Sequence, residues 1–277
     1  MSHEEVLIVG AGPVGLLSAL GLAQTGVEVT VIEREPYIVD SPRASVYHWT
    51  VPSLEREGFA LARQRTAVRD FHDPQEVQSV YLPELQRFLL HYMGAVRVSL
   101  LKAGGLVRYT ERSSRYGTGV NTRPARFPHV DFTERTGPGL VEDVFGAPKE
   151  ELKPGERIIG LNIWRPISAP PQDVPLAVCD ARTVDRRDLI PADGVYDVGQ
   201  PETWMELEAF VVAHNPAHRW RYFRDMQADE VLLFRSYDSG PGWQSGVPHS
   251  AFDDPMCPDG VPARMSIEAR AIVVMGR

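Results

Sequence analysis

RIIGLNIWRPI, residues 157–167, is a short apolar run that begins after the turn pair Pro154-Gly155 and includes Pro166 near its end. Such a bounded run, rich in isoleucine, is typical of a buried β-strand. Five more β-like runs share this half of the chain, separated by Pro, Gly, Asp and Asn: PLAVCDART (175–183), MELEAFVVAH (205–214), WRYF (220–223), DEVLLFRSYD (229–238) and RMSIEARAIVVM (264–275). Short strands at this density predict a sandwich or barrel rather than a parallel α/β sheet.

One long helical pattern precedes this strand-rich half, at residues 72–95. Asp73 is placed as its N-cap and Pro74 at its first helical position, where a missing N–H costs nothing. Gly94 lies near its C-terminal end, and Pro83 predicts a kink or a split inside it.

The opening of the chain has a strand–helix–strand pattern. EVLIVG (5–10) and VEVTVIE (27–33) predict two strands, with a helix between them from Pro13 to Gln24. The turn before the helix contains G-x-G-x-x-G, formed by Gly10, Gly12 and Gly15. In this context the three glycines are typical of a dinucleotide-binding βαβ unit, which binds phosphate at the helix N-terminus.

Glu33 ends the second of these strands, where a carboxylate can bind ribose hydroxyls. Half of a mononucleotide-binding fold does not enclose a flavin, however. A structural βαβ remnant and a working flavin site therefore both remain as readings of this segment.

Composition excludes several classes of function. The chain has 277 residues, a formal net charge of −8 and a pI near 5.5, which argues against nucleic-acid and anionic-membrane partners. It contains no apolar run of bilayer-spanning length, and the acidic pair Glu4-Glu5 stands where a signal peptide would be basic. The two cysteines, Cys179 and Cys257, argue against a disulfide framework, so a reducing, cytoplasmic location is expected.

A metal site is predicted from FPHVDFT (127–133), in which His129 and Asp131 stand two residues apart. On a strand, such residues point the same way and can reach one ion. His249 in GVPHSAF (246–252) is the best third ligand. Two histidines and one carboxylate leave open positions on iron(II) for a co-substrate and dioxygen.

A carboxylate-binding site is predicted on the last strand. Arg264 and Ser266 share one face of RMSIEARAIVVM, with Arg270 on the same face as a substitute. A guanidinium fork and a hydroxyl match the far carboxylate of 2-oxoglutarate, and Arg-x-Ser after the distal histidine is where many 2-oxoglutarate oxygenases bind it.

Two other residues invite a functional reading. Cys179 precedes Asp180 beside a predicted strand and is either a nucleophile or, as we favour, a buried small thiol without a partner histidine. Tyr222 is expected to lie near the pocket.

From about Gly58 to Val274 the chain resembles the AsaB-type hydroxylase/desaturase family, relatives of fungal gibberellin desaturases and of a cephalosporin-cluster (CmcJ-like) protein. The matching stretches run in order over most of the chain: GFALARQRTAVRDFHDPQEVQSVYLPELQRFLLHYMGAVRV, HVDFT, LNIWRPISAPPQDVPLAVCDARTV, NPAHRWRYFRDMQADEVLLFRSYDS, PHSAFDDP and RMSIEAR. The resemblance implies a double-stranded β-helix, jelly-roll-like and α+β with flanking helices, and chemistry with iron(II) and 2-oxoglutarate in secondary metabolism. It also implies His129, Asp131 and His249 as ligands, with Arg264 and Ser266 at the co-substrate.

The first 57 residues instead resemble the start of an FAD-dependent aromatic hydroxylase. The resemblance rests on VLIVGAGPVGLLSALGLAQTGVEVTVIERE (6–35) and on SPRA (41–44), whose Arg43 matches a flavin-contacting arginine of that family. That family's later Gly-Asp motif and substrate-binding sheet are absent from the sequence. Two parts are therefore expected: a partial FAD-binding-like βαβ segment at 1–57 and an oxygenase-like domain at 58–277.

Three hypotheses follow. The first is an iron(II)/2-oxoglutarate-dependent hydroxylase or desaturase that acts on a small hydrophobic molecule, with other enzymes of a biosynthetic cluster as candidate partners. The second is a truncated FAD-dependent monooxygenase that uses Gly10, Gly12, Gly15, Glu33 and Arg43. The third is a non-catalytic binding partner in a biosynthetic pathway.

Overall fold

The computed structural model describes residues 5–9, 28–32, 52–101, 105–116, 123–137, 155–196, 205–240 and 246–276. The chain divides into two compact units, Met1–Val51 and Pro52–Arg277.

In the first unit, β1 (Glu5–Val9) pairs in parallel with β2 (Glu28–Ile32), so that Glu5 lies opposite Glu28. Parallel neighbours need a crossover connection, which agrees with the predicted strand–helix–strand order. The predicted helix at 13–24 and the flavin candidates Gly10, Gly12, Gly15, Glu33 and Arg43 lie outside the described residues.

The second unit contains twelve strands among its described residues. They are β3 (Phe59–Arg63), β4 (Arg97–Leu100), β5 (Leu106–Tyr109), β6 (His129–Val130), β7 (Arg157–Pro166), β8 (Leu176–Cys179), β9 (Leu189–Tyr196), β10 (Met205–Val212), β11 (Trp220–Tyr222), β12 (Glu230–Asp238), β13 (His249–Ala251) and β14 (Met265–Met275).

These strands form two six-stranded sheets. The first sheet has the order β3-β12-β7-β14-β4, with β5 also paired to β14, and the second has the order β11-β8-β13-β6-β10-β9. Every pairing described within this unit is antiparallel. The result is the jelly-roll-like α+β fold that the family resemblance implies.

Residue alternation on the central strand β7 shows how the layers are built. Ile159, Leu161 and Ile163 belong to a core shared with the helix that covers the first sheet. Trp164 belongs to a second core together with Val178 of the second sheet. Because successive side chains on a strand point to opposite faces, β7 separates a helix-facing core from the space between the sheets.

The covering helix follows its sequence signals. Asp73 accepts a hydrogen bond from the Gln75 amide, and a turn of α-helix at Pro74–Glu76 is followed by a π-helical turn at Val77–Tyr81. The main helix, α1 (Leu82–Met93), begins there and ends at Gly94, whose φ of 62° is left-handed. The predicted interruption is therefore present.

Pro83 lies in the first turn of α1, directly after the π-helical turn, which ends with the Leu82 N–H donating to the Val77 carbonyl. α1 buries Leu82, Leu85 and Leu89 against the first sheet. Among the described residues, no helix combines the length and apolar character that crossing a bilayer requires.

Candidate metal centre

Strand pairing brings two histidines face to face. His129 on β6 lies directly opposite His249 on β13 in the antiparallel ladder, and such pairs project from the same face of a sheet. The two ring centroids are 4.2 Å apart. Asp131 lies just beyond the end of β6 rather than on a strand, which corrects the predicted strand geometry of the His-x-Asp pair. Its Oδ1 is 3.6 Å from His129 Nε2 and 3.9 Å from His249 Nε2.

Backbone hydrogen bonds fix which nitrogen of each imidazole is free. His129 Nδ1 lies 2.9 Å from the Phe127 carbonyl, and His249 Nδ1 lies 3.1 Å from the Val247 carbonyl. A carbonyl can only accept, so each Nδ1 carries the hydrogen. In the neutral ring each Nε2 then presents a lone pair toward Asp131, the arrangement that metal-binding histidines adopt.

The other oxygen of Asp131 is already engaged. Oδ2 accepts a hydrogen bond of 2.6 Å from Asn162 Nδ2 and one of 3.2 Å from an Arg270 terminal nitrogen. Both donors come from the first sheet, from β7 and β14. They leave Oδ1 as the atom that faces the two histidines.

Electrostatics favours the protonation states that a metal requires. Burial alone would raise the pKa of Asp131, but Arg270 and the two histidines outweigh it and hold that pKa well below its usual range. Burial, reinforced by His129, lowers the pKa of His249 to about 4. At neutral pH, Asp131 is therefore a carboxylate and His249 a neutral imidazole.

The donor set suits a divalent transition metal. One atom from each of His129, Asp131 and His249 lies within 4.8 Å of the other two, and no other described group of three His, Cys, Asp or Glu side chains shares this property. Two imidazole nitrogens and one carboxylate oxygen on a single side are the facial set that non-haem iron(II) favours. These residues therefore fit such an ion.

A cavity of about 420 Å³ opens between the sheets at this cluster, and all three side chains line it. The first sheet contributes charged residues, among them Arg108, Arg264, Glu268 and Arg270. The Arg108–Glu268 ion pair, 3.1 Å between its nearest atoms, ties β5 to β14 within this wall.

Arg264 and Ser266 are buried polar groups that the protein does not fully satisfy. Arg264 is 1% exposed and donates 2.8 Å to the Val174 carbonyl, and its guanidinium lies 5.5 Å from the Trp164 ring centroid. Arg264 Nε and Ser266 Oγ have no hydrogen-bond partner among the described residues. Burial lowers the pKa of Arg264 to about 10, so it stays cationic at neutral pH. Buried donors of this kind call for an acceptor that the protein does not supply.

Two further sequence predictions meet the structure here. Tyr222 packs edge-on against Phe252, with ring centroids 5.0 Å apart, and is not among the residues that line the cavity. Cys179 is fully buried in β8, where its Sγ lies 3.7 Å from Thr183 Oγ1. Burial raises the pKa of its thiol to about 11, as expected of an inert buried cysteine.

Sequence reasoning missed two residues that shape the centre. Asn162 is a polar residue inside an apolar strand, and that signal marks it as a residue that must find a partner. Gly246 passes so close to β12 that an added Cβ would lie 2.5 Å from the Ser236 carbonyl oxygen. Only glycine fits there, and it precedes the Val247 carbonyl that orients His249.

Comparison with known proteins agrees with this geometry. The family described as "Oxidoreductase/YMDC permease-like domain" matches residues 27–274. The chain belongs to this oxidoreductase family. The hydroxylase/desaturase efuI from Hormonema carpetanum is 30% identical to this chain, over 86% of this chain and 83% of the length of efuI. The predicted membership of the hydroxylase/desaturase family is thereby confirmed, and the protein is an enzyme.

Two relatives carry their cofactors in their names. The alpha-ketoglutarate-dependent dioxygenase phiK, from Fungal sp., is 30% identical over 80% of this chain and 79% of its own. The solved structure of the iron and alpha-ketoglutarate-dependent endoperoxidase NvfI is 26% identical, covers 81% of each chain and superposes with a TM-score of 0.70.

The N-terminal segment has a match of its own. An NAD(P)-binding Rossmann-like domain matches residues 8–44. This supports the predicted dinucleotide-binding character of the opening segment.

Proposed function

We propose that this family member is an Fe(II)/2-oxoglutarate-dependent oxygenase that hydroxylates or desaturates a small hydrophobic molecule of secondary metabolism. The observation that carries the proposal is the convergence of His129 Nε2, His249 Nε2 and Asp131 Oδ1 in one cavity. The relatives named for iron and alpha-ketoglutarate support the same cofactors.

In this proposal His129, Asp131 and His249 are the iron ligands. Arg264 and Ser266 bind the far carboxylate of 2-oxoglutarate, because Arg264 Nε and Ser266 Oγ are buried donors without a partner. Arg270 is the substitute for that role, although in the structure it donates to Asp131. A charged guanidinium and a hydroxyl form charge-assisted hydrogen bonds with a carboxylate.

A ferrous ion held by His129, Asp131 and His249 would activate dioxygen, with 2-oxoglutarate as the source of two electrons. The protein positions the ligands through the Phe127 and Val247 carbonyls, which hold both imidazoles in one tautomer. Asn162 restrains the Asp131 carboxylate from the opposite sheet.

The organisation of the chain is part of the proposal. We assign residues 1–57 to a partial FAD-binding-like βαβ segment and residues 58–277 to the oxygenase domain. The division into two compact units supports two parts, although it falls between Val51 and Pro52, six residues before the assigned boundary. We place the enzyme in the cytoplasm, which fits the free thiols of Cys179 and Cys257. Other enzymes of a biosynthetic cluster are its candidate partners.

The test is metal-dependent turnover of 2-oxoglutarate. Protein purified without oxygen should be colourless, bind one ferrous ion, and develop a metal-to-ligand charge-transfer band only when iron and 2-oxoglutarate are both present. On admission of oxygen it should release succinate, and His129→Ala should abolish both the band and the release.

His91→Ala is the matched control, because His91 lies in the last turn of α1 and does not line the cavity. It should behave as the wild type. Full succinate release by His129→Ala without added iron would refute the proposal, and a yellow protein with flavin absorbance would favour the FAD hypothesis instead.

A further inference from the structure

We propose that the cavity wall formed by Phe127, Ala192, Ala209 and Val211 is a substrate platform, and that it takes an uncharged, largely apolar molecule with fused rings. The inference rests on the proposed function, and it names where in the site the substrate lies and which of its properties are selected.

The cavity has two chemically different walls. The wall formed by β5, β14 and the residue just before β14 carries Arg108, Glu268, Arg270 and Arg264, which suit a dicarboxylate co-substrate. The platform belongs to the second sheet and offers carbon atoms instead. An apolar ligand is therefore favoured on the platform side and disfavoured on the other, where it would desolvate charges.

Strand register places the platform beside the metal ligands. Val211 on β10 lies opposite His129 on β6, and Ala209, two residues earlier on β10, lies opposite Ala192 on β9. Residues that lie opposite each other on paired strands, and residues two apart on one strand, project from the same face of a sheet. Ala209 and Ala192 therefore project from the same face as His129. Two residues along a strand span about 7 Å. A ring system on the alanines would thus reach the ligand cluster.

Side-chain size leaves room for a bulky ligand. Ala192 and Ala209 are the smallest side chains that still present carbon to the cavity, and both are only half-buried. Asp193 also lines the cavity, but it is next to Ala192 on β9, so its side chain projects to the opposite face from that of Ala192. The platform side chains are thus small and uncharged, which favours a neutral substrate over an ionic one.

Phe127 stands at the edge of the platform with 53% of its surface exposed. Its ring centroid lies 5.0 Å from that of His129, so the exposed face adjoins the ligand cluster. A phenyl ring left in water at a cavity mouth gains apolar contact when a planar ligand covers it. Val211, 37% exposed, extends the same surface.

The experiment uses the full chain and the neutral fused-ring probe N-phenyl-1-naphthylamine, whose fluorescence rises in apolar surroundings. The wild type should bind the probe. Ala209→Trp should raise the probe's Kd at least tenfold by filling the platform, and Phe127→Ser should raise it several-fold. Affinities of the Ala209→Trp variant for Mn²⁺ and for 2-oxoglutarate, measured on the same preparation, should stay within twofold of the wild type.

Matched controls place the same changes elsewhere. Ala217→Trp adds an indole at an exposed turn, and Tyr92→Ser removes an exposed aromatic from α1, neither of which lines the cavity. Both should bind the probe like the wild type. The platform is refuted if the wild type does not bind the probe, if both platform variants bind it normally, or if the controls lose it equally.

These readouts separate the two proposals. Failure of the wild type to bind Mn²⁺ or to release succinate with iron would overturn the oxygenase assignment. The comparison of probe affinities between platform and control variants would still test whether the platform binds an apolar ligand.

Discussion

The side-chain amide of Asn162 donates a hydrogen bond of 2.6 Å to Oδ2 of Asp131 and so joins the central strand of the first sheet to the end of β6 in the second. Asp131 is 2% exposed and Asn162 is 7% exposed. The bond holds the carboxylate with Oδ1 toward the histidines. A ligand held by an outer partner in this way binds metal more tightly because its orientation is set in advance.

Asn162→Leu should weaken metal binding without unfolding the protein. The substitution removes the donor but keeps a side chain of similar volume, and it also removes the Asn162 Oδ1, which is buried without a partner. We expect the Kd for Mn²⁺ to rise by about 10- to 100-fold, as for other outer partners of metal ligands. Isothermal titration calorimetry measures this directly.

The control for this variant is Asn215→Leu. Asn215 Nδ2 donates 2.9 Å to Asp188 Oδ2, a similar amide–carboxylate bond away from the cavity. It should leave the Kd for Mn²⁺ unchanged. Equal metal affinity in Asn162→Leu and the wild type would show that Asn162 has no role in positioning Asp131.

The substitution Arg264→Met should weaken 2-oxoglutarate binding more than metal binding. A hydrogen bond to a charged group contributes about 1.5–3 kcal/mol, so the Kd for 2-oxoglutarate should rise by about 10- to 150-fold. Ser266→Ala removes a neutral donor, and a rise of about 2- to 10-fold is expected. Titration of 2-oxoglutarate into Mn²⁺-loaded protein checks both values.

Arg187→Met is the control for Arg264→Met. Arg187 is exposed, and within the described part of the chain its ion pair is with Asp185, 2.9 Å away. It should bind 2-oxoglutarate normally. Normal binding by Arg264→Met would instead move the co-substrate site to Arg270.

The sequence predicts the parts of the centre that depend on local spacing. His129 and Asp131 follow from their separation by two residues, and the strand-rich half follows from bounded apolar runs. The Asn162–Asp131 contact joins residues 31 positions apart on different sheets. It depends on how the sheets stack, which no local pattern encodes. The exclusion of Tyr222 from the cavity depends on the same stacking.

Asp238 is expected to stabilise the second unit through a buried charge cluster. Its carboxylate is fully buried and accepts hydrogen bonds from Arg157 and Arg235. Arg235 is itself buried, and its bond to Asp238 is 2.8 Å long. Asp238→Ala would leave the Arg235 charge buried without this partner. Removing one partner of such a pair costs about 3–5 kcal/mol of the free energy of unfolding. Urea denaturation at pH 7 measures the loss.

The Asp238 effect should also depend on pH. Burial would raise the pKa of Asp238, but the hydrogen bonds from Arg157 and the Gly240 amide outweigh it and lower that pKa. A lowered folded-state pKa gives stability that is complete above the unfolded-state value of about 3.9 and is lost as the pH falls further. The difference from Asp238→Ala should therefore be constant above about pH 5 and shrink below about pH 4. Constant stability differences down to pH 2.5 would contradict this.

Cys179 should be unreactive in the native enzyme. Its thiol is fully buried and has a pKa of about 11, so on the order of one thiol in three thousand is ionised at pH 7.5. Iodoacetamide at that pH should leave Cys179 unmodified until denaturant is added, as peptide mass spectrometry would show. Cys257 is less buried and provides the internal comparison, although burial and nearby carboxylates raise its pKa as well. The proposed reaction uses no nucleophilic cysteine, so Cys179→Ala should release succinate like the wild type. Rapid labelling of the native protein together with loss of turnover would instead indicate that Cys179 is a catalytic nucleophile.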